Sequence, residues 1–182
     1  MPGSDPAGGD PESLWARGIG DVQSDADAVA GWVDDHRSGD RSAREEVVQD
    51  IEVPIDRLAD FLDFFHREVG IEPVWVCPLQ QRDPQARWPL YEFDPQTLYV
   101  NVGFWSTVAL PEGVDPEEGR VNRRIEEVVT ALDGRKSLYS TAFYDRESFF
   151  SIYGGNTYAE LKARFDPAGR LLGLYEKVVE RR

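Results

Sequence analysis

The sequence predicts an α+β fold: a ferredoxin-like βαββαβ antiparallel sheet with helices on one face and short helices added at the C-terminal end. Three observations predict it. Residues 45–54 and 97–105 alternate side chains with a period of two, as strands do. Residues 55–70 and 115–134 repeat apolar side chains at three and four, as helices do. The two patterns follow one another in the order that a split βαβ unit requires.

The first strand is EVVQDIEVP, rich in β-branched residues. Its pleat puts Gln49, Ile51 and Val53 on one side and Val48, Asp50 and Glu52 on the other. IDRLADFLDFFHREVG follows as a helix, with Ile55, Leu58, Leu62 and Phe65 on one stripe and Gly70 as its stop. EPVWVCPL, residues 72–79, is a short second strand. A long connection with prolines at 84, 89 and 95 carries Trp88 and Tyr91. TLYVNVGFW is the third strand, with Leu98, Val100, Val102 and Phe104 alternating against Tyr99, Asn101, Gly103 and Trp105. The second helix has Asp115 as cap, Pro116 in its first position and Glu118 completing a box-like pattern. Its stripe is Val121, Ile125, Val128 and Leu132, and Gly134 ends it. Residues 136–144, KSLYSTAFY, are expected as the fourth strand. Asp145 then caps a short helix, Asn156 caps another, and LLGLYEKVVERR closes the chain as a last helix.

The 182 residues, 41% of them hydrophobic, suffice for one core. A single cysteine, Cys77, excludes an internal disulfide and a Cys-based zinc site, and two distant histidines, His36 and His66, give no support to a metal site or a catalytic triad. No metal is therefore expected. The net charge of −14 argues against a nucleic-acid groove. No apolar run reaches the length of a membrane span, and the first residues lack the order of a signal peptide, so a cytoplasmic setting is expected. The first fifty residues hold 12 acids against 4 bases, a net of −8. Residues 1–44 read as an acidic, poorly ordered leader with one short helix, capped by Ser24 and carrying Val29, Trp32 and Val33 on one face. Residues 45–182 read as the folded domain.

If the helices cover the Val100, Val102 and Phe104 side of the sheet, the other side is open. Tyr99, Asn101 and Trp105 face it from the third strand, Asp50 and Glu52 from the first, Trp75 and Cys77 from the second, Tyr139 from the fourth. Two carboxylates two residues apart on a strand suit general acid and base work, and equally suit a solvated face. The aromatic side chains suit a platform for a flat ligand, and equally suit contact with another domain or copy. Gly154-Gly155-Asn156 reads as a helix cap or as an anion site.

Several stretches carry a resemblance: VQDIEVPIDRLADFLDFF, EPVWVCPL, WPLYEFDPQTLYVNVGFW, STAFYDRESFFSIYGG and the closing YGGNTYAELKARFDPAGRLLGLYEKVV. In this order they resemble the C-terminal cap region of FAD-linked oxidoreductases of the vanillyl-alcohol oxidase superfamily, in the Diminuto/24-dehydrocholesterol reductase-like branch. The resemblance implies a cap that shapes a substrate pocket over a flavin held by an FAD-binding domain. That domain is absent from these residues, so the resemblance implies a separate FAD-binding chain, or a missing domain, as partner. It implies FAD as the cofactor, bound weakly at best by this chain alone, and a small-molecule substrate. Asp50 or Glu52 would orient substrate or accept a proton, Asn101 would hydrogen-bond it, and Trp75, Cys77, Tyr99, Trp105 and Tyr139 would face substrate or flavin. The chain departs from the family at Leu171-Leu172-Gly173-Leu174, where an Asn-Pro-Gly-Lys ending is common. The alternatives are a stand-alone ligand-binding or dimerising module, and a degenerate fragment. A homo-oligomer fits any of these.

Overall fold

A computed structural model describes residues 43–182. Residues 1–42 of the expected leader, with its Ser24-capped helix, lie outside the described residues; Arg44, expected as the leader's last residue, instead opens β1. Four strands form one antiparallel sheet: β1 Arg44–Pro54, β2 Trp75–Leu79, β3 Tyr99–Ala109 and β4 Arg135–Lys136. Their order is β2-β3-β1-β4, with β1 and β3 paired along their full length from Arg44↔Ala109 to Pro54↔Tyr99. This is the expected α+β, ferredoxin-like arrangement. β3 runs four residues further than its sequence pattern suggested, because β1 remains beside it that far.

Helices α1 (Leu58–Glu68) and α2 (Arg120–Ala131) cover one face. Val47, Ile51 and Val53 of β1 and Val100, Val102 and Phe104 of β3 meet Phe61, Phe64 and Phe65 of α1 and Ile125 and Val129 of α2 in a single buried cluster. Phe65 and Phe104 rings lie 4.4 Å apart. The strand period of two and the helix stripe thus share one core. The second edge strand, β2, contains Pro78, a residue tolerated in sheets at edges.

The start of α2 differs from the expectation. Asp115 caps only a 3-10 turn, Pro116–Glu118, and Gly119 at φ 64° separates that turn from α2. A β-carbon on Gly119 would collide with the Phe143 ring, so the break needs glycine for space as well as conformation. The capping role passes to β1: the buried Glu45 carboxylate accepts the N–H groups of Val121 (2.9 Å) and Asn122 (2.8 Å). The stripe is also rotated. The fully buried positions are Asn122, Ile125, Glu126 and Val129, two of them polar.

The fourth strand is a correction. It is two residues long rather than nine. Ile51↔Lys136 and Glu52↔Arg135 pair, and Ser137 N–H still reaches the Asp50 carbonyl at 2.9 Å. Beyond that the ladder's groups are engaged elsewhere. Lys136 is completely buried. Its ammonium donates to Glu126 Oε1 (2.8 Å) and to the Thr141 carbonyl (2.5 Å). The Glu126 carboxylate accepts the Phe143 N–H, Tyr153 donates to the Lys136 carbonyl at 2.9 Å, and the Ala142 N–H bonds to Val178. The chain turns around its own lysine instead of extending.

Three further helices follow: α3 (Arg146–Ile152), α4 (Gly155–Phe165) and α5 (Leu174–Val178). Asp145 caps α3 through Ser148 N–H, as expected. Asn156 does not cap α4; left-handed Gly154 precedes that helix, with no side-chain cap. Phe149, Tyr153, Ala142 and Val178 form a second buried cluster, flanked by Tyr91, Tyr144 and Tyr175. Among the described residues no helix is long and apolar enough to cross a membrane.

Removing one partner of the buried pair leaves the other charged without compensation. Lys136→Met is expected to cost about 3–5 kcal/mol of stability, read from urea unfolding. Adding Glu126→Leu is expected to restore part of the loss, but not all, because Phe143 N–H loses its acceptor. A single-variant cost under about 1 kcal/mol would show that the node is dispensable.

Candidate functional site

The sheet register lays out the uncovered face in rows. Cys77, Asn101, Glu52 and Arg135 lie opposite one another across β2, β3, β1 and β4. The next row is Trp75, Gly103 and Asp50. Trp105 and Val48 follow. The structure thus brings Asp50, Glu52, Trp75, Cys77, Asn101 and Trp105 to one surface, and the turn after β4 adds Tyr139.

Glu52 is buried at the centre. Its Oε1 accepts from Asn101 Nδ2 at 2.7 Å and from Ser137 Oγ at 3.2 Å, and its Oε2 accepts from the Tyr91 hydroxyl. Burial pushes its pKa up, and the three donors pull it part of the way back. Tyr91 is driven far above the phenol range, by burial first and then by the Glu52 charge. This arrangement fixes the Asn101 amide and ties the long connection to the sheet. Burial, at 5% exposure, keeps Glu52 from facing a ligand directly.

Asp50 differs in every respect. It is partly exposed, and its Oδ1 is shielded yet has no hydrogen-bond partner. The Tyr139 hydroxyl sits against its carboxyl and itself accepts from Trp105 Nε1 at 2.9 Å. Burial raises the Asp50 pKa, and Tyr139 partly opposes the rise. Tyr139 is pushed up to about 12, by burial first and then by the neighbouring carboxylates. Gly103 makes the cluster possible: a β-carbon there would meet both Asp50 Oδ1 and the Trp105 ring. The outcome is a partly exposed carboxyl with a shielded, unpartnered Oδ1, beside the Tyr139 phenol and the Trp105 indole, on a face that also carries the half-exposed Trp75. Such a group can exchange a proton or bind a polar atom of a ligand.

The chain was compared with known proteins. No family model matches it. Over 135 residues it is 28% identical to the Delta(24)-sterol reductase homolog dhcr-24 of Caenorhabditis elegans, covering 74% of this chain and 25% of that protein. Over 136 residues it is 26% identical to the Delta(24)-sterol reductase of Rattus norvegicus and 25% identical to that of Homo sapiens, with the same coverages. Its homologues are Delta(24)-sterol reductases. The branch that the sequence motifs resemble is the branch found, and the chain spans about a quarter of the length of these reductases.

Other candidate residues fall elsewhere on the sheet or away from it. Tyr99, expected to face substrate or flavin, is only 8% exposed. The connection folds over it: Phe93 packs at 4.5 Å, and the Asp94 N–H donates to the Tyr99 hydroxyl at 3.2 Å. The Gly154 turn is no anion cradle, since the Pro89 carbonyl oxygen presses against the place where a β-carbon would stand. Sequence reading missed Tyr91, Arg135 and Ser137 as parts of the site. Alternation through Arg135, Ser137 and Tyr139 was available to place two of them; nothing local in the connection marks Tyr91. Among the described residues no group of three or more His, Cys, Asp or Glu side chains is placed to hold a metal.

The folded-state pKa of Asp50 lies above its unfolded value. Its contribution to stability is therefore fully present below the ordinary Asp range and is lost as the pH rises through the folded pKa. Asp50→Asn is expected to raise the thermal midpoint near about pH 7, with the gain vanishing below about pH 4. The same gain at both pH values would show that the charge is not its cause.

Proposed function

We propose that the chain is the substrate-cap portion of an FAD-dependent oxidoreductase of the sterol-reductase type. Its uncovered sheet face forms one wall of a pocket over a flavin supplied by another chain or by a further domain. The carrying observation is the Asp50–Tyr139–Trp105 cluster, an incompletely partnered carboxyl on an aromatic surface, in a chain whose homologues are reductases. The names of those relatives favour an apolar, sterol-like substrate.

The residues fit the ring of a flavin rather than the whole dinucleotide. Trp75 and Trp105 offer flat apolar contact, Gly103 keeps the strand low between Trp75 and Asp50, and the partly exposed Asp50 carboxyl offers an acceptor. The described residues hold no glycine-rich cradle of N–H groups for a pyrophosphate, and the Gly154 turn is already occupied by Pro89. A bound flavin supplies the hydride chemistry. The chain's own part is to exclude water with the two indoles, to hold a substrate polar atom through the Asn101 amide that Glu52 orients, and to hold or release a proton at the Asp50 carboxyl. The phenol of Tyr139 steadies that carboxyl.

The test compares riboflavin with FAD on the isolated chain, followed by nuclear magnetic resonance of the indole and amide groups. Both are expected to shift the signals of Trp75, Gly103 and Trp105, with similar and weak affinities. Stacking contributes only about 1 kcal/mol per aromatic pair beyond area burial, and a net charge of −14 repels the anionic dinucleotide. FAD binding tighter than riboflavin by about a hundredfold, or nearly 3 kcal/mol, would reveal a pyrophosphate site and overturn the cap reading. Absence of any shift on this face would leave the stand-alone, dimerising module as the better reading.

A further inference from the structure

The turn between α4 and α5 is built to expose apolar side chains. Phe165 is 70% exposed, Leu171 69% and Leu172 54%, and Ala163, Pro167 and Ala168 beside them are exposed as well. Exposed patches of this kind mark interaction sites when they are contiguous and held in place. This one is held. Asp166 Oδ1 accepts the Arg170 N–H at 2.8 Å, and its Oδ2 accepts the Leu171 N–H at 3.0 Å. The Lys162 ammonium donates to Asp166 Oδ2 at 2.5 Å and to the Leu171 carbonyl at 2.6 Å. Gly169 takes the left-handed conformation at φ 60° with open space around it. At the far end, Leu174 N–H donates to the Tyr158 hydroxyl at 2.7 Å. The backbone that carries the leucines is held before contact, which lowers the entropy cost of docking it.

The charge around the turn is opposite to that of the chain. Residues 162–172 hold three bases, Lys162, Arg164 and Arg170, against one acid, Asp166, in a protein of net charge −14. The acid is neutralised by Lys162. The Arg164 guanidinium lies 5.1 Å from the Phe165 ring centre, so cation and aromatic ring share one exposed surface. Apolar tips on a narrow turn with arginines at their base match the boundary between lipid headgroups and acyl chains.

We propose that the 165–172 turn is a membrane-docking element, which inserts Phe165, Leu171 and Leu172 into the interface of an anionic lipid surface with Arg164 and Arg170 against the headgroups. The proposal is independent of the flavin reading, since it uses no residue of the uncovered sheet face. It gives the chain a way to approach an apolar substrate where such molecules reside.

The test is flotation of the full chain with phosphatidylcholine vesicles, with and without phosphatidylserine. Binding is expected to the anionic vesicles, to weaken with added salt, and to be low on phosphatidylcholine alone. Leu171→Asp with Leu172→Asp is expected to abolish it while leaving the circular dichroism and unfolding midpoint unchanged, since both side chains are exposed. Arg164→Gln with Arg170→Gln is expected to weaken binding about fivefold per arginine and to remove the preference for anionic lipid. Trp88→Ala, an exposed aromatic outside the turn, is expected to bind as the parent does. No binding of the parent chain to anionic vesicles would overturn the proposal. So would equal binding of the double-aspartate variant, or a dimer in light scattering that this variant dissociates, which would assign the patch to a second copy.

Discussion

The buried pair of Lys136 and Glu126 decides where the sheet ends. A lysine in the core needs a partner, and the partner sits on α2. That demand pins β4 against the helix after two residues and turns the following segment around the ammonium. The Glu126 carboxylate and the Lys136 carbonyl then take the Phe143 N–H and the Tyr153 hydroxyl. Ser137 and Tyr139 keep the alternation of Arg135 and stand on the other face after the paired strand ends.

Two carboxylates on one strand receive opposite treatment. Glu52 is surrounded by donors and serves as a structural acceptor that joins β3, the turn after β4 and the long connection. Asp50, two residues away, keeps one oxygen without a partner. Stability favours the first arrangement and function has use for the second, a division expected where a site is built into a fold. The spacing of the two residues gives no hint of which is which. The difference comes from Tyr91 and Gly103, one in an irregular segment and one without a side chain.

The regular parts of the fold were legible because they obey one period each. Val100, Val102 and Phe104 alternate cleanly, so the sheet's side of the core could be placed from spacing alone. On the helix the stripe is rotated, since of Ile55, Leu58, Leu62 and Phe65 only Phe65 is buried and Phe61 and Phe64 join it, while Ile55 is exposed. The parts that were not legible are those where a distant side chain overrides a local signal. Residues 136–144 have strand composition, yet Lys136 and Glu126 break the strand. Asn156 is a good cap by type, yet Gly154 and the packed Pro89 carbonyl hold that corner. Asp115 is a good cap and remains one, but for a turn that ends before the helix, whose N-terminus is served by Glu45, some 75 residues earlier in the chain. In the site, alternation brought the face together, but it could not show that Tyr99 is covered, because a segment without periodicity folds over it.

Both margins of the sheet are blunt. On one side β4 offers two residues, too few to template another strand. On the other, β2 carries Pro78, which lacks the N–H that a fifth strand would require at that position. Edge-to-edge addition is hindered at β2 and at β4, while the Arg44–Gln49 stretch of β1 has no strand beside it on the β4 side among the described residues. Contacts made through the faces and turns are matched by side chains rather than backbone, and a partner chosen in that way is open to change one residue at a time.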